Sequence, residues 1–395
     1  MSGLLKKPVK SRFFTIKTDF ILNKQALVEQ LNDIITENFD LHKNNQINIA
    51  DLMVGLIIAR TVNLNVIAAY SSRQGKMSQA NIYRGFQYVI HNFKMTQKQL
   101  ALTILSMYGL NGNGKLILAL DRTNWRYGKE DINLLVLSVI VKGCGIPLYW
   151  LELDSRGNSD TDERKQVMNR LIGLIKVDKI AYLLADREFI GDDWFGHLAD
   201  QGVKFVIRIK CNMLIESGGK CLSGNELSAK ASKINIVSFD GKIDNKPLSF
   251  QATISSENKL VLVASNDIGC TQLLYLYSKR WGIECMFGHL KTRGFNFEDT
   301  HITGKLRIGN LTKLIVLAFA CTFLLGIIEA QRKPIIVKNH GYKQHSYFRY
   351  GLDLITGILM QNFEAGLEIL TICFDNVYRL NRRKTLQDRL ENAYA

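Results

Sequence analysis

Residues 277–291 read YSKRWGIECMFGHLK and place Tyr277, Arg280, Glu284 and Lys291 at successive intervals of three, four and seven. At about 100° per residue, those four side chains fall within an arc of roughly 60° on one helix. Trp281 and Phe287 lie on or beside that arc, while Ile283, Met286 and Leu290 point away from it. One stripe is therefore apolar and faces a core. The other gathers a phenol, a guanidinium, a carboxylate and an ammonium. A solvated Arg–Glu pair at i, i+4 is worth only a few tenths of a kcal/mol, so about 0.3 kcal/mol explains little here. It leaves the alignment of Tyr277 and Lys291 without a reason. The pattern predicts one continuous helix opening near Cys270.

Upstream, two strongly apolar runs end in acids: LILALD at Asp121 and IAYLLAD at Asp186. Both read as strands buried on two faces. The runs INLLVLSVIVKG and IPLYWLELD add two more strands, residues 162–175 a helix, residues 194–200 a short helix, and KFVIRIK a further strand. Three consecutive strands followed by strand–helix alternation predict a mixed α/β sheet. In such a sheet, the carboxyl ends of neighbouring parallel strands open onto one crevice. Asp121 and Asp186 placed there make a hard oxygen site suited to Mg²⁺ or Mn²⁺. With Glu284 they would be three carboxylates holding two divalent ions for phosphoryl transfer. Arg280, Lys291 and Tyr277 would then grip phosphates beside the scissile bond.

The chain has 395 residues, 47% of them hydrophobic, and a formal net charge of +15. That excess favours a polyanionic partner, above all nucleic acid. Seven scattered cysteines without a C-x-x-C argue against a disulfide framework or zinc ribbon and fit a reducing compartment. Cys285 and His289 lie four apart, but no second ligand pair accompanies them. GLNGNGK at 109–115 imitates a phosphate-binding loop, yet Leu116 follows where Ser or Thr belongs, and the loop precedes a strand. ATP binding is excluded on those grounds. The start of the chain shows no signal-type apolar segment. The apolar run 314–328 is shorter than the roughly 20 residues of a membrane span and reads as a buried core helix.

These residues resemble the DDE transposases of bacterial insertion sequences, in the group with the Y-R-E-K signature, the IS-four family. Tyr277, Arg280, Glu284 and Lys291 match every interval of that signature, and Trp281, Ile283 and Thr292 fit its flanks. Asp121, followed by Thr123, resembles the family's first acid, and Asp186 in ADREF its second. The resemblance covers about residues 115–303. It implies a ribonuclease-H-like catalytic domain at 113–303 with a β-rich insertion at about 211–258. A helical DNA-end-binding region at 1–112 and a helical C-terminal region at 304–395, serving dimerisation, would flank it. It also implies cut-and-paste transposition with Mg²⁺ or Mn²⁺. The partners would be terminal inverted repeats and target DNA, bound by a homodimer in a paired-end complex in the bacterial cytoplasm at the nucleoid. Arg208 and Lys210 sit where the family has basic DNA contacts. The alternatives are an inactive transposase-derived DNA-binding protein and a metal-dependent nuclease without strand transfer. One departure is the lack of tryptophan in 211–258, where some relatives stack one on a flipped base. Phe239 or Phe250 would have to substitute.

The N-terminal region predicts helices at 27–39, 49–62, 66–70 and 82–93. The stretch 68–90 reads as helix, turn, helix, with Gly75 in the turn and Ser78 as a cap, fitting either a DNA-reading helix-turn-helix or a plain bundle. Lys6, Lys7, Lys10, Arg12 and Lys17 form a basic arm before the first acid, Asp19.

Overall fold

Apolar residues at nearly every position of the central strands require cover on both faces, and the structure supplies it. A computed structural model describes residues 49–154, 157–232 and 235–375. The expected helix at 27–39 and the basic arm lie outside the described residues. The chain divides into two compact units. One is the continuous segment Gln97–His289, and the other draws on the described residues either side of it.

The first unit is built on a ten-stranded sheet. Its first strands are β1 (Leu116–Tyr127), β2 (Glu130–Val141), β3 (Cys144–Glu152), β4 (Ile180–Ala185) and β5 (Phe205–Arg208). The next are β6 (Ile215–Ser217), β7 (Lys220–Leu222), β8 (Val237–Ile243), β9 (Lys246–Ile254) and β10 (Leu260–Ser265). Their order is β3-β2-β1-β4-β5-β10-β9-β8-β6-β7. β1, β2 and β3 form an antiparallel meander. β4 then pairs parallel to β1, and β5 parallel to β4. The two parallel steps run through the helices Thr161–Ile172 and Asp192–Asp200. This is a mixed α/β sheet with flanking helices, the class that the strand and helix pattern predicts. Turn chemistry fixes the register. Lys142 and Gly143 both take positive φ between β2 and β3, as do Asp244 and Asn245 between β8 and β9. Two such residues in a row make the type I′ turn that matches strand twist.

The segment 211–258 is β-rich, as its composition suggests, and it also contains the capped helix Gly224–Lys230. It extends the main sheet instead of standing apart, because β10 returns antiparallel to β5 and carries β9 and β8 outward with it.

In the second unit the helix Lys305–Arg332 is long and apolar enough to cross a membrane, but every residue from Ile308 to Glu329 except Lys313 is buried. It packs on the helix Tyr347–Gln361 at a glycine crossing. A Cβ on Gly326 would sit 1.8 Å from the Tyr347 carbonyl oxygen, and one on Gly351 1.9 Å from that of Thr322. Asn310 donates to the Ile90 carbonyl at 2.7 Å, tying in the helix Gln79–Asn92. The segment read as helix-turn-helix resolves differently. Its first helix is the five-residue Leu64–Ala68, and residues 69–78 intervene before the next. A helix-turn-helix joins its helices in three or four residues, so roughly one turn of chain is all it allows. Here buried Asp51 holds the long connection, accepting from Ser71 Oγ at 2.5 Å, Ser72 N at 2.7 Å and Arg73 Nε at 3.1 Å. The bundle reading applies.

Candidate active site

The parallel pairing of β1 with β4 ends at Leu120 opposite Ala185. Asp121 and Asp186 each follow that last pair in the chain, Asp121 still within β1 and Asp186 just past the end of β4. One expectation needs correcting. Asp121 does not end its strand, because β1 runs on to Tyr127 and stays paired with β2 through Tyr127 opposite Glu130. Each carboxylate accepts from the backbone N–H of the arginine after it, Asp121 from Arg122 at 2.8 Å and Asp186 from Arg187 at 2.7 Å.

The signature stretch is also not one continuous helix. It comprises Leu273–Ser278 and Trp281–Leu290, joined through Lys279 and Arg280. At the join, Arg280 N donates to the Tyr277 carbonyl at 2.9 Å and Ile283 N to that of Arg280 at 3.0 Å. Those are i to i−3 bonds, and in a 3₁₀ turn side chains three apart eclipse. Arg280 accordingly lies over the Tyr277 ring, 5.5 Å from its centroid. The first helix is seated by Leu273 and Leu276 on Leu184, Val206 and Val263 of three neighbouring strands. The second lies flush on the β2–β3 hairpin. A Cβ on Gly282 would be 3.2 Å from the Gly143 carbonyl oxygen, and one on Gly145 3.2 Å from Ile283 Cα. Ile283, Met286 and Leu290 are buried, as their phase requires.

This seating brings the signature to the acids. Tyr277 Oη donates to Asp186 Oδ1 at 3.2 Å. Arg280 Nη1 donates to Asp121 Oδ2 at 3.1 Å and Nη2 to Glu284 Oε1 at 2.5 Å. One guanidinium thus spans two of the three carboxylates. Its Nε is buried and has no acceptor among the described residues. Lys291 lies one residue beyond the helix end, in the second unit, where it pairs with Glu298 at 2.7 Å. Trp281 is 61% exposed.

Burial pushes the Asp121 carboxyl up to about 6, with the charges of Glu188 and Glu284 adding to it, against the Arg122 N–H and the Arg280 charge. Burial also raises the Tyr277 phenol to about 12, so it stays a donor. Burial works against the Arg280 charge, but Tyr277, Glu284, Asp121 and Asp186 outweigh it and hold the pKa above the ordinary value.

Arg208 and Lys210 line a groove of about 360 Å³ together with Arg187, Ile209, Cys211 and Asn212. The groove therefore begins at the residue that follows Asp186. In the insertion, Phe250 is fully buried and stacked on Phe239 with centroids 5.1 Å apart, so its face is not open to a base. The sequence reading missed the brace behind the acids. Arg122 pairs with Glu188 at 3.3 Å. Buried Arg164 donates to the carbonyls of Ser159, Glu188 and Ile190 and lies over the Phe189 ring. The available signal was the Asp-Arg pair repeated at both acids.

Among the described residues, no three His, Cys, Asp or Glu side chains are drawn close enough to ligate one ion. The donor chemistry nevertheless fits a divalent cation. The donors are hard carboxylate oxygens, one on β1 and one directly after the neighbouring β4, and two are already held by a single cationic group.

The profile of the family described as transposase DDE domain matches residues 112–321, more than half of the chain. The chain belongs to this family. The matched span contains Asp121, Asp186, Tyr277, Arg280, Glu284 and Lys291. Among solved structures, the cryo-EM structure of piggyBac transposase in a synaptic complex with hairpin DNA is similar over 94% of this chain and 76% of that one. The identity is 12% and the TM-score 0.42. No curated protein matches the chain.

Proposed function

We propose that this transposase moves an insertion sequence by cut and paste, belongs to the bacterial Y-R-E-K group, and uses Asp121, Asp186 and Glu284 as its catalytic acids. The observation that carries the reading is the pair of carboxylates one residue past Leu120 and Ala185, with Arg280 joining Asp121 to Glu284. Two Mg²⁺ or Mn²⁺ ions bound by the three acids would supply Lewis acidity toward the attacking and leaving oxygens of the phosphodiester.

The remaining chemistry belongs to the chain. Burial makes Asp121 easier to protonate than an ordinary carboxyl, and a nearby cation favours its carboxylate form. Tyr277 orients Asp186 through its hydroxyl. Arg280 Nε is a buried donor without an acceptor among the described residues. Arg187, Arg208 and Lys210 give the adjoining groove the charge to track a DNA backbone toward Asp186. Lys291 and Trp281 are further DNA contacts on the grounds of signature spacing. The bound DNA would be the element's terminal inverted repeats and then the target, with a homodimer pairing the ends at the bacterial nucleoid. The regions 1–112 and 304–395 would serve end binding and dimerisation.

The test is cleavage of labelled DNA carrying the element's own terminal repeats, in Mg²⁺, Mn²⁺ or Ca²⁺, by wild type and Asp121→Ala. Metal-dependent nicks at the repeat boundary, absent in the variant, followed by joined products, are expected. Glu284→Gln should lose cleavage and keep end binding, since it alters a carboxylate and no phosphate contact. Tight end binding without cleavage under any metal would leave only the inactive DNA-binding alternative.

A further inference from the structure

The second unit carries a feature that the catalytic reading does not use. Between its helices Lys305–Arg332 and Tyr347–Gln361, residues 333–346 fold back on themselves as a short hairpin. Val337 and Lys343 form an antiparallel bridge. Lys338 N donates to the Tyr342 carbonyl at 2.9 Å and Gln344 N to that of Ile336 at 2.8 Å. Gly341 takes φ +81° at the tip, a conformation that favours glycine. The base is fixed by buried Ile335 and by Tyr350 Oη donating to the Lys333 carbonyl at 3.2 Å. The hairpin is thus a defined projection from a helical unit.

Its surface is unusual on two counts. Ile336, Val337 and Tyr342 are 68%, 60% and 75% exposed, where an isolated ribbon would bury them or replace them with polar residues. The chain also has no acid between Glu329 and Asp353, but it carries Arg332, Lys333, Lys338, Lys343 and Arg349 there. The flanking arginines are neutralised, Arg332 by Glu329 and Arg349 by Asp353. Lys333, Lys338 and Lys343 pair with no carboxylate among the described residues. Lys343 Nζ instead lies 3.9 Å from the centroid of the Tyr347 ring, which holds the ammonium in place without cancelling its charge. Exposed apolar and aromatic side chains set among unneutralised lysines suit a polyanion with apolar surface beside its charges, and duplex DNA offers sugars and base edges in its grooves between its phosphates.

We propose that hairpin 333–346 is a DNA-contacting finger, with Lys338 and Lys343 on phosphates and Tyr342, Ile336 and Val337 against sugars and bases. The choice of DNA among polyanions rests on the function proposed above, but the contact is separate from catalysis and is tested without it. The measurement is affinity of the full chain for a fluorescent double-stranded oligonucleotide across a salt series in EDTA, where no metal-dependent cleavage occurs. Lys338→Ala with Lys343→Ala should lower the slope of log K against log salt by about 2, since each phosphate contact contributes roughly 0.9. Tyr342→Ala should weaken binding about tenfold at fixed salt and leave the slope unchanged, as expected for a lost uncharged groove contact. Lys338→Arg with Lys343→Arg should retain the wild-type slope, which separates charge from damage to the hairpin.

Unchanged affinity and slope in variants that melt like wild type would overturn the proposal. So would a shift in sedimentation with DNA affinity intact, because the occupant would then be a second copy of the chain. Variants that bind normally while the wild-type chain cleaves in Mg²⁺ would sink the finger alone. A wild-type chain that shows the finger's salt slope yet never cleaves would sink the catalytic proposal and leave the finger standing.

Discussion

Arg280 and Asp121 stand 159 positions apart in the chain and 3.1 Å apart in the fold. The same guanidinium reaches Glu284, so it acts as the internal counter-ion of two proposed metal ligands. Arg280→Lys keeps the charge but loses the planar fork that spans both carboxylates. Cleavage of terminal-repeat DNA should fall roughly 10²–10³-fold in Arg280→Lys, a loss comparable to removing one preorganised transition-state donor. Retained single-turnover cleavage in that variant would show that only the charge matters.

A pH dependence follows from Asp121, whose carboxyl is raised by burial from the ordinary 3.8 to about 6. The folded chain therefore holds this proton where the unfolded chain has released it. In that window the folded state binds more protons, so stability falls as pH rises from about 4 to about 6. Asp121→Asn cannot titrate. Without metal, the variant should match wild type near pH 4 and exceed it by about 2–3 kcal/mol near pH 8, at 1.36 kcal/mol per unit. Chemical denaturation at both pH values measures the difference, and equal gaps would contradict the raised pKa.

Arg164 is the clamp on the loop that follows Asp186. Its Nη2 donates to the Ser159 carbonyl at 2.5 Å and the Glu188 carbonyl at 3.1 Å, and its Nη1 to the Ile190 carbonyl at 3.3 Å. Arg164→Met fills similar volume but strands those carbonyls, of which that of Ser159 is in a buried bond, at a cost of about 2–4 kcal/mol. Thermal melting should register that loss. Cleavage by the still-folded fraction should also drop, because Asp186 loses its fixed seat. A variant that melts early but cleaves normally per folded molecule would reduce Arg164 to a purely structural role.

The glycine crossing in the second unit makes a sharper stability prediction. A methyl at Gly326 meets a backbone carbonyl at 1.8 Å, which no side-chain rotation relieves. Gly326→Ala should cost about 3 kcal/mol or more, at the upper end for overpacked cores. Gly357→Ala, on the partner helix with nothing within 4 Å of an added Cβ, should be neutral or slightly stabilising. Similar melting temperatures for the two variants would refute the crossing.

Much of the candidate site was legible because its signals are local. The interval between Glu284 and the buried Ile283, Met286 and Leu290 is a helix phase, and phase survives any tertiary context. Asp121 and Asp186 stood out as single charges after long apolar runs, although only Asp186 lies past the end of its strand. The meander followed by strand–helix alternation likewise fixed the class of sheet. The Asp-Arg pairs were visible but uninformative, because nothing local says that Arg122 turns toward Glu188, 66 residues away.

What the sequence by itself determined is the set of chemical groups and their phase along each element: three acids, a phenol, a guanidinium, and which face of each element is apolar. What only the tertiary structure decided is where those elements stop and what they lie against. β1 continues past Asp121 because β2 supplies it with ladder partners, and no residue in the strand announces that. The helix tightens at Lys279 and Arg280 because Leu273 and Leu276 must seat on the sheet while Gly282 lies flush on the hairpin turn. The insertion joins the main sheet because β5 leaves an edge that β10 can pair. Each outcome depends on contacts between residues far apart in the chain, and local composition carries no record of them.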